Sequence, residues 1–131
     1  MLMRLQSVII HCSDLPRSTA FYRDRLGFPV KRQYAEQTEF HCGPVTLVLR
    51  LATPAQASPE PATATRWPGS ASAPGRAQIS FEVLNLDAFY SEMKEKGVEF
   101  ALPPTPQDFG RKLAVLLDPD GFPIAVTQEI R

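Results

Sequence analysis

Several things are scarce in this 131-residue chain, and each scarcity excludes something. It has two cysteines, Cys12 and Cys42, too few for a disulfide framework. It has two histidines, His11 and His41, and one tryptophan, Trp67. Net charge is lacking altogether: 14 Lys and Arg balance 14 Asp and Glu. Nucleic acid and anionic membranes both call for a basic surface, so neither is an expected partner. No apolar run approaches the length that crosses a bilayer. The opening Met1-Leu-Met-Arg lacks a signal-peptide core, which places the protein in the cytoplasm with both thiols reduced. Two small half-buried hydrophobes are the simplest reading of those cysteines.

What is present is a repeated pattern. Leu5–Cys12 carries Val8, Ile9 and Ile10 and reads as a short buried strand. Ser13 or Asp14 can cap a helix, and Pro16 stands where a first-turn proline is tolerated. Leu15, Thr19, Tyr22 and Leu26 fall on one helical face, and Gly27 stops the helix. Phe28–Tyr34 and Glu36–Cys42 read as strands, Gly43-Pro44 as a turn, and Val45–Leu51 as an apolar strand. The order is β-α-β-β-β. From Gln78 it returns: Ile79, Phe81 and Val83 alternate with polar residues, and Asn85 or Asp87 caps a helix striped with Leu86, Phe89, Tyr90 and Met93. Gly97 stops that helix and Val98–Leu102 is a strand. Pro103-Pro104-Thr-Pro106 is expected to be a stiff loop, followed by a strand over Lys112–Leu117. Asp118-Pro-Asp-Gly121 is a tight turn, and Phe122–Gln128 closes the chain, with Pro123 at an edge or an early strand position.

The copies match at a constant offset, Ser7 with Gln78 and His11 with Glu82. The chain is therefore expected to form a single α+β domain over 1–131. Its parts are a first βαβββ module (1–51), an Ala/Pro-rich connection (52–77) and a second βαβββ module (78–131). The connection carries Pro54, Pro59, Pro61, Pro68 and Pro74, which exclude regular helix and interior strand. It is either a linker or a lid closing on an apolar site through Trp67.

Taken in order and spacing, Ser13-Asp-Leu-Pro-Arg-Ser18, Phe21-Tyr22, Leu26-Gly27-Phe28, Lys96-Gly97-Val98 and Asp118-Pro-Asp-Gly-Phe122 resemble the vicinal oxygen chelate superfamily. That group includes glyoxalase I, extradiol dioxygenases and the fosfomycin- and bleomycin-resistance proteins. The resemblance covers the chain apart from its central connection. It implies paired βαβββ modules whose curved mixed sheets surround a cavity, and in many members a homodimer. Metal-dependent relatives place four His or Glu ligands on the first and last strand of each module, where a divalent ion polarises vicinal substrate oxygens. Carried over, those positions are Ser7, Val48, Gln78 and Ala125. Val48 and Ala125 have no donor atom, and neither do their neighbours Leu47, Leu49, Ile124 and Val126. The resemblance thus implies the scaffold without the standard metal tetrad, so no cofactor is expected.

Period-two geometry turns His11 to the side of Ser7 and Glu82 to the side of Gln78. His11 and Glu82 are the candidate acid/base pair or improvised metal ligands; a lone pair falls short of the three protein ligands of a catalytic zinc. Their simpler roles are a strand-end hydrogen bond for His11 and a solvated or ion-paired carboxylate for Glu82. Glu39 and His41 lie on a strand whose facing the sequence leaves open. The residues expected to line a ligand site are Ser7, His11, Val48, Trp67, Gln78, Glu82 and Ala125. Phe109 is a second aromatic candidate, and Arg50, Arg76 and Arg111 are candidates for attracting a carboxylate or phosphate. The leading expectation is metal-independent binding or sequestration of a small apolar or aromatic molecule. The alternatives are a glyoxalase- or dioxygenase-type enzyme using His11 and Glu82, and an interaction module with a vestigial cavity.

Overall fold

The computed structural model describes residues 1–53, 77–108 and 110–129. The chain forms two compact units, Met1–Ser58 and Pro59–Arg131.

In the first unit, β1 (Ser7–Cys12) leads into α1 (Leu15–Ala20), followed by β2 (Val30–Gln33), β3 (Gln37–Cys42) and β4 (Val45–Leu51). Asp14 takes the helix N-cap, its Oδ1 accepting from the Arg17 amide at 3.1 Å. The helix then widens into one π turn over Phe21–Arg25, which a simple helical stripe did not foretell. Beyond it Gly27 adopts φ 84°, a conformation that a side chain would strain. The sheet order is β1-β4-β3-β2, with β1 parallel to β4 and the other pairs antiparallel. A parallel neighbour cannot follow by a hairpin: α1 with its π turn carries the chain to β2 at the far edge, and β3 and β4 return until β4 lies beside β1.

One face of this sheet is covered by that helix. Tyr22 is fully buried, its ring 6.1 Å from Phe40, and the Thr19 and Thr38 hydroxyls meet at 2.9 Å. Residues paired in register share a face, so Ile10, Leu47, Leu49 and Cys12 belong to the same core. All are buried, and full burial of each large side chain stabilises by about 1.5–3 kcal/mol. The opposite, open face carries Ser7, Ile9, His11, Thr46, Val48, Arg50, Gln37, Glu39 and His41. A register shift between Val30 and Arg32 marks a bulge in β2.

The second unit repeats the design with β5 (Ile79–Glu82), α2 (Leu86–Glu95), β6 (Glu99–Gln107), β7 (Arg111–Leu117) and β8 (Pro123–Glu129). Its order, β5-β8-β7-β6, is the first order again. Asn85 caps α2 through the Ala88 amide at 3.0 Å, and Gln128 accepts the Leu86 amide at 2.6 Å. Leu86 and Met93 are buried, and Tyr90 meets Phe100 edge-on at 4.7 Å. In the β8 turn Asp118 Oδ1 accepts from the amides of Asp120 at 2.9 Å and Phe122 at 2.8 Å.

The α+β class and the doubled β-α-β-β-β order expected from the sequence are thus what the chain adopts. One element corrects the reading. Pro103-Pro104-Thr-Pro106 is not a loop: β6 continues through it to Gln107. Its register with β7 shifts between Leu102 and Thr105, so Pro103 and Pro104 fall inside the irregularity. β6 is an edge strand, where an imino acid costs no ladder bond on its outer side. Pro123, by contrast, opens an interior strand, the other position that tolerates it. Of the expected connection 52–77, only residues 52, 53 and 77 are described; Trp67, Arg76 and Phe109 lie outside the described residues.

Candidate functional site

The open face of the first sheet is arranged in rows across strands β1, β4 and β3. Ser7, Thr46 and His41 form one row, Ile9, Val48 and Glu39 the next, and His11, Arg50 and Gln37 the third. Ser7 and His11 therefore share one surface, as the period-two reading required, and Val48 lies on it by register. Val48 is buried at its centre, Ser7 is half-buried and His11 is exposed.

The structure adds residues the sequence left unoriented. Glu39 and His41 face the same side as His11. Gln37, which sequence reasoning missed, joins a chain of polar contacts. Arg50 Nε donates to Gln37 Oε1 at 3.0 Å, and Gln37 Nε2 donates to Glu39 Oε2 at 2.9 Å. The alternation in Gln37-Thr-Glu-Phe-His-Cys42 was the available signal, with polar residues at odd positions and the core residues Thr38 and Phe40 between them. The β2 bulge contributes two cations. Lys31 Nζ reaches Thr46 Oγ1 at 3.3 Å, and Arg32 stands opposite Glu39. Tyr34 first, and then Glu39, hold the Arg32 guanidinium above its usual pKa. An open depression of about 440 Å³ at this end is lined by Tyr34, Ala35, Glu36, Gln37 and Glu39.

The second unit's open face is of another kind. Ser80, Ala125 and Val115 form one row, and Glu82, Thr127 and Leu113 the next. Ala125 and Val115 are buried, Leu113 is half-buried, and Glu82 is exposed, which leaves its carboxylate solvated. Gln78 is exposed and precedes β5. A depression of about 490 Å³ is lined by Glu82, Val83, Leu84, Gln128 and Glu129.

These residues do not fit the four-ligand metal site that the resemblance implies. Among the described residues no three His, Cys, Asp or Glu side chains cluster as a metal ion would require. The last-strand positions are occupied by Val48 and Ala125, both buried and without a donor. Cys42 offers no ready thiolate, because burial raises its pKa.

Comparison with known proteins supports the architecture. The family model of the Glyoxalase/Bleomycin resistance protein/Dioxygenase superfamily matches residues 4–126. The chain is 28% identical over 130 residues to the uncharacterized protein YwkD of Bacillus subtilis (strain 168), covering 98% of this chain and 99% of that one. A glyoxalase/bleomycin resistance protein/dioxygenase from Nocardioides shares the fold with a TM-score of 0.75 and 19% identity, over 100% of this chain and 86% of that one. TnmS3, an antibiotic binding protein from Streptomyces sp. CB03234, does so with a TM-score of 0.73 and 21% identity, over 98% and 97% of the two chains.

Proposed function

Since the chain belongs to the Glyoxalase/Bleomycin resistance protein/Dioxygenase superfamily, we propose that it binds and sequesters a small apolar or aromatic molecule without a metal. The observation that carries this reading is the identity of the residues at the last-strand positions. Val48 and Ala125 are buried apolar side chains where metal-dependent relatives need a donor. An apolar side chain there offers a metal ion no donor. On the first sheet, Ser7 and His11 supply hydrogen-bonding groups on the same face as Val48. On the second, Gln78, Glu82 and Ala125 are the proposed lining, with half-buried Leu113 beside them. TnmS3, of the same fold, is an antibiotic binding protein, which supports sequestration as a use of this architecture. We place the protein in the cytoplasm as a homodimer; among the described residues no helix is long and apolar enough to cross a membrane.

The test has two arms. The purified protein is incubated with Ni²⁺, Zn²⁺, Mn²⁺ or anaerobic Fe²⁺, dialysed, and analysed for metal. The expected result is far less than one metal per chain, and stoichiometric retention of any of them overturns the metal-free reading. In parallel, calorimetric titration with a panel of neutral and acidic aromatic compounds is expected to yield saturable binding. Failure of the whole panel to bind counts against sequestration. Light scattering during gel filtration reads the oligomeric state, and a monomer at every concentration removes the dimer.

A further inference from the structure

We infer that Arg50 anchors a carboxylate on the ligand, so that the molecule this protein takes is an aromatic or apolar acid. The inference rests on the binding function proposed above and names its ligand class.

The first observation is the way Arg50 is held. It sits on β4, an interior strand, between His11 on β1 and Gln37 on β3. Its Nε is engaged by Gln37, whose amide is in turn engaged by Glu39. A guanidinium carries five N–H donors in a planar fork. With Nε committed, the edge formed by the two Nη nitrogens remains, and neither makes a hydrogen bond or ion pair with a described residue. That edge matches the two oxygens of a carboxylate. The side chain is half-buried, so it is partly desolvated and fixed before a ligand arrives.

The second observation is the charge of the face. Lys31, Arg32 and Arg50 stand on it with the imidazoles of His11 and His41, against the single carboxylate of Glu39. Glu39 lies opposite Arg32 and contributes to that guanidinium's raised pKa, so its charge is already answered. Glu36 sits in the turn beyond. A face with this surplus favours an anionic group, while Ile9, exposed in the adjoining row, supplies apolar contact for the rest of the molecule. Arg111, the other described candidate among the arginines, is exposed at a strand end and has no such support. Gln37 is a positioning residue in this scheme: it aims Arg50 and does not touch the ligand's acid group.

The experiment compares indole-3-acetate and 1-naphthylacetate with their primary amides by calorimetry. It uses the wild type, Arg50→Met, Arg50→Lys and Gln37→Met. The wild type is expected to bind each acid at least tenfold more tightly than its amide. Arg50→Met should abolish that preference, so that acid and amide bind alike, and an unfolding midpoint close to that of the wild type shows that the variant is folded. Arg50→Lys should keep part of the preference, because it retains charge but loses the fork. Gln37→Met should weaken acid binding several-fold with amide binding intact. Equal binding of acid and amide by the wild type overturns the inference and leaves metal-free binding standing. A preference that survives Arg50→Met places the acid elsewhere and also overturns it. If neither acids nor amides bind, the inference and the binding function fail together.

Discussion

The two units are built on one plan and present opposite surfaces. Their helix sides correspond position by position: Asp14 and Asn85 both cap, Leu15 and Leu86 are both buried, and so are Tyr22 and Met93. The open faces diverge. The first carries Lys31, Arg32, Glu39, His41, Arg50 and His11 around Val48; the second carries Ala125, Val115 and Leu113, with Glu82 exposed. The lesson is that the helix-facing half of each sheet is constrained by packing throughout, whereas the other half is constrained at its buried centre, Val48, Ala125 and Val115, and free to specialise around it. A core position must fill a fixed volume, but a face position need only suit what it meets.

The largest expected effect tests the constrained half. Tyr22→Ala removes a fully buried ring from its contact with Phe40 and is expected to cost about 3–5 kcal/mol, measured by denaturant unfolding. Next comes the contrast between faces. Ala125→Glu forces a carboxylate into a buried apolar position and is expected to cost about 2–4 kcal/mol. Thr46→Glu, on the half-buried, cation-bearing face of the first sheet, is expected to change stability by less than about 0.5 kcal/mol. Similar losses for the two would erase the distinction between the faces.

A smaller effect has the opposite sign. Ser18 is fully buried and its Oγ lacks a hydrogen-bond partner among the described residues. Ser18→Ala removes that unsatisfied hydroxyl and is expected to raise stability by about 1 kcal/mol, seen as a higher unfolding midpoint. A lower midpoint would mean that the hydroxyl fills space the methyl leaves empty. The smallest effect concerns Cys42. Burial raises its thiol pKa, so the thiolate fraction at neutral pH is below that of a free cysteine and grows only as pH climbs past the ordinary range. Alkylation by iodoacetamide, followed by mass spectrometry, should therefore show a pH midpoint above that of a free thiol. A midpoint below it would reopen a nucleophilic role.

Much of this architecture was legible from local chemistry. Asp14, Asn85, Gly27 and Gly97 each announce a helix end, because capping and positive φ depend on the residue itself. Asp118 likewise closes its turn with its own side chain. That the side chains of Val48 and Ala125 carry no metal donor is likewise read from the residues alone, since it holds in any fold.

What escaped were properties that belong to neighbours. Pro103 to Pro106 read as a loop because proline removes a ladder donor, and only the sheet order reveals that β6 lies at an edge where the loss is tolerated. The β2 bulge that brings Lys31 to Thr46 and the facing of β3 depend on register, which no single strand specifies. The sequence by itself therefore determined the doubled scaffold and the donor-free side chains at Val48 and Ala125, through backbone preferences and side-chain chemistry carried residue by residue. Only tertiary structure decided that Arg50, Gln37 and Glu39 stand in one hydrogen-bonded chain on an open face, because that alignment arises when two strands find their register.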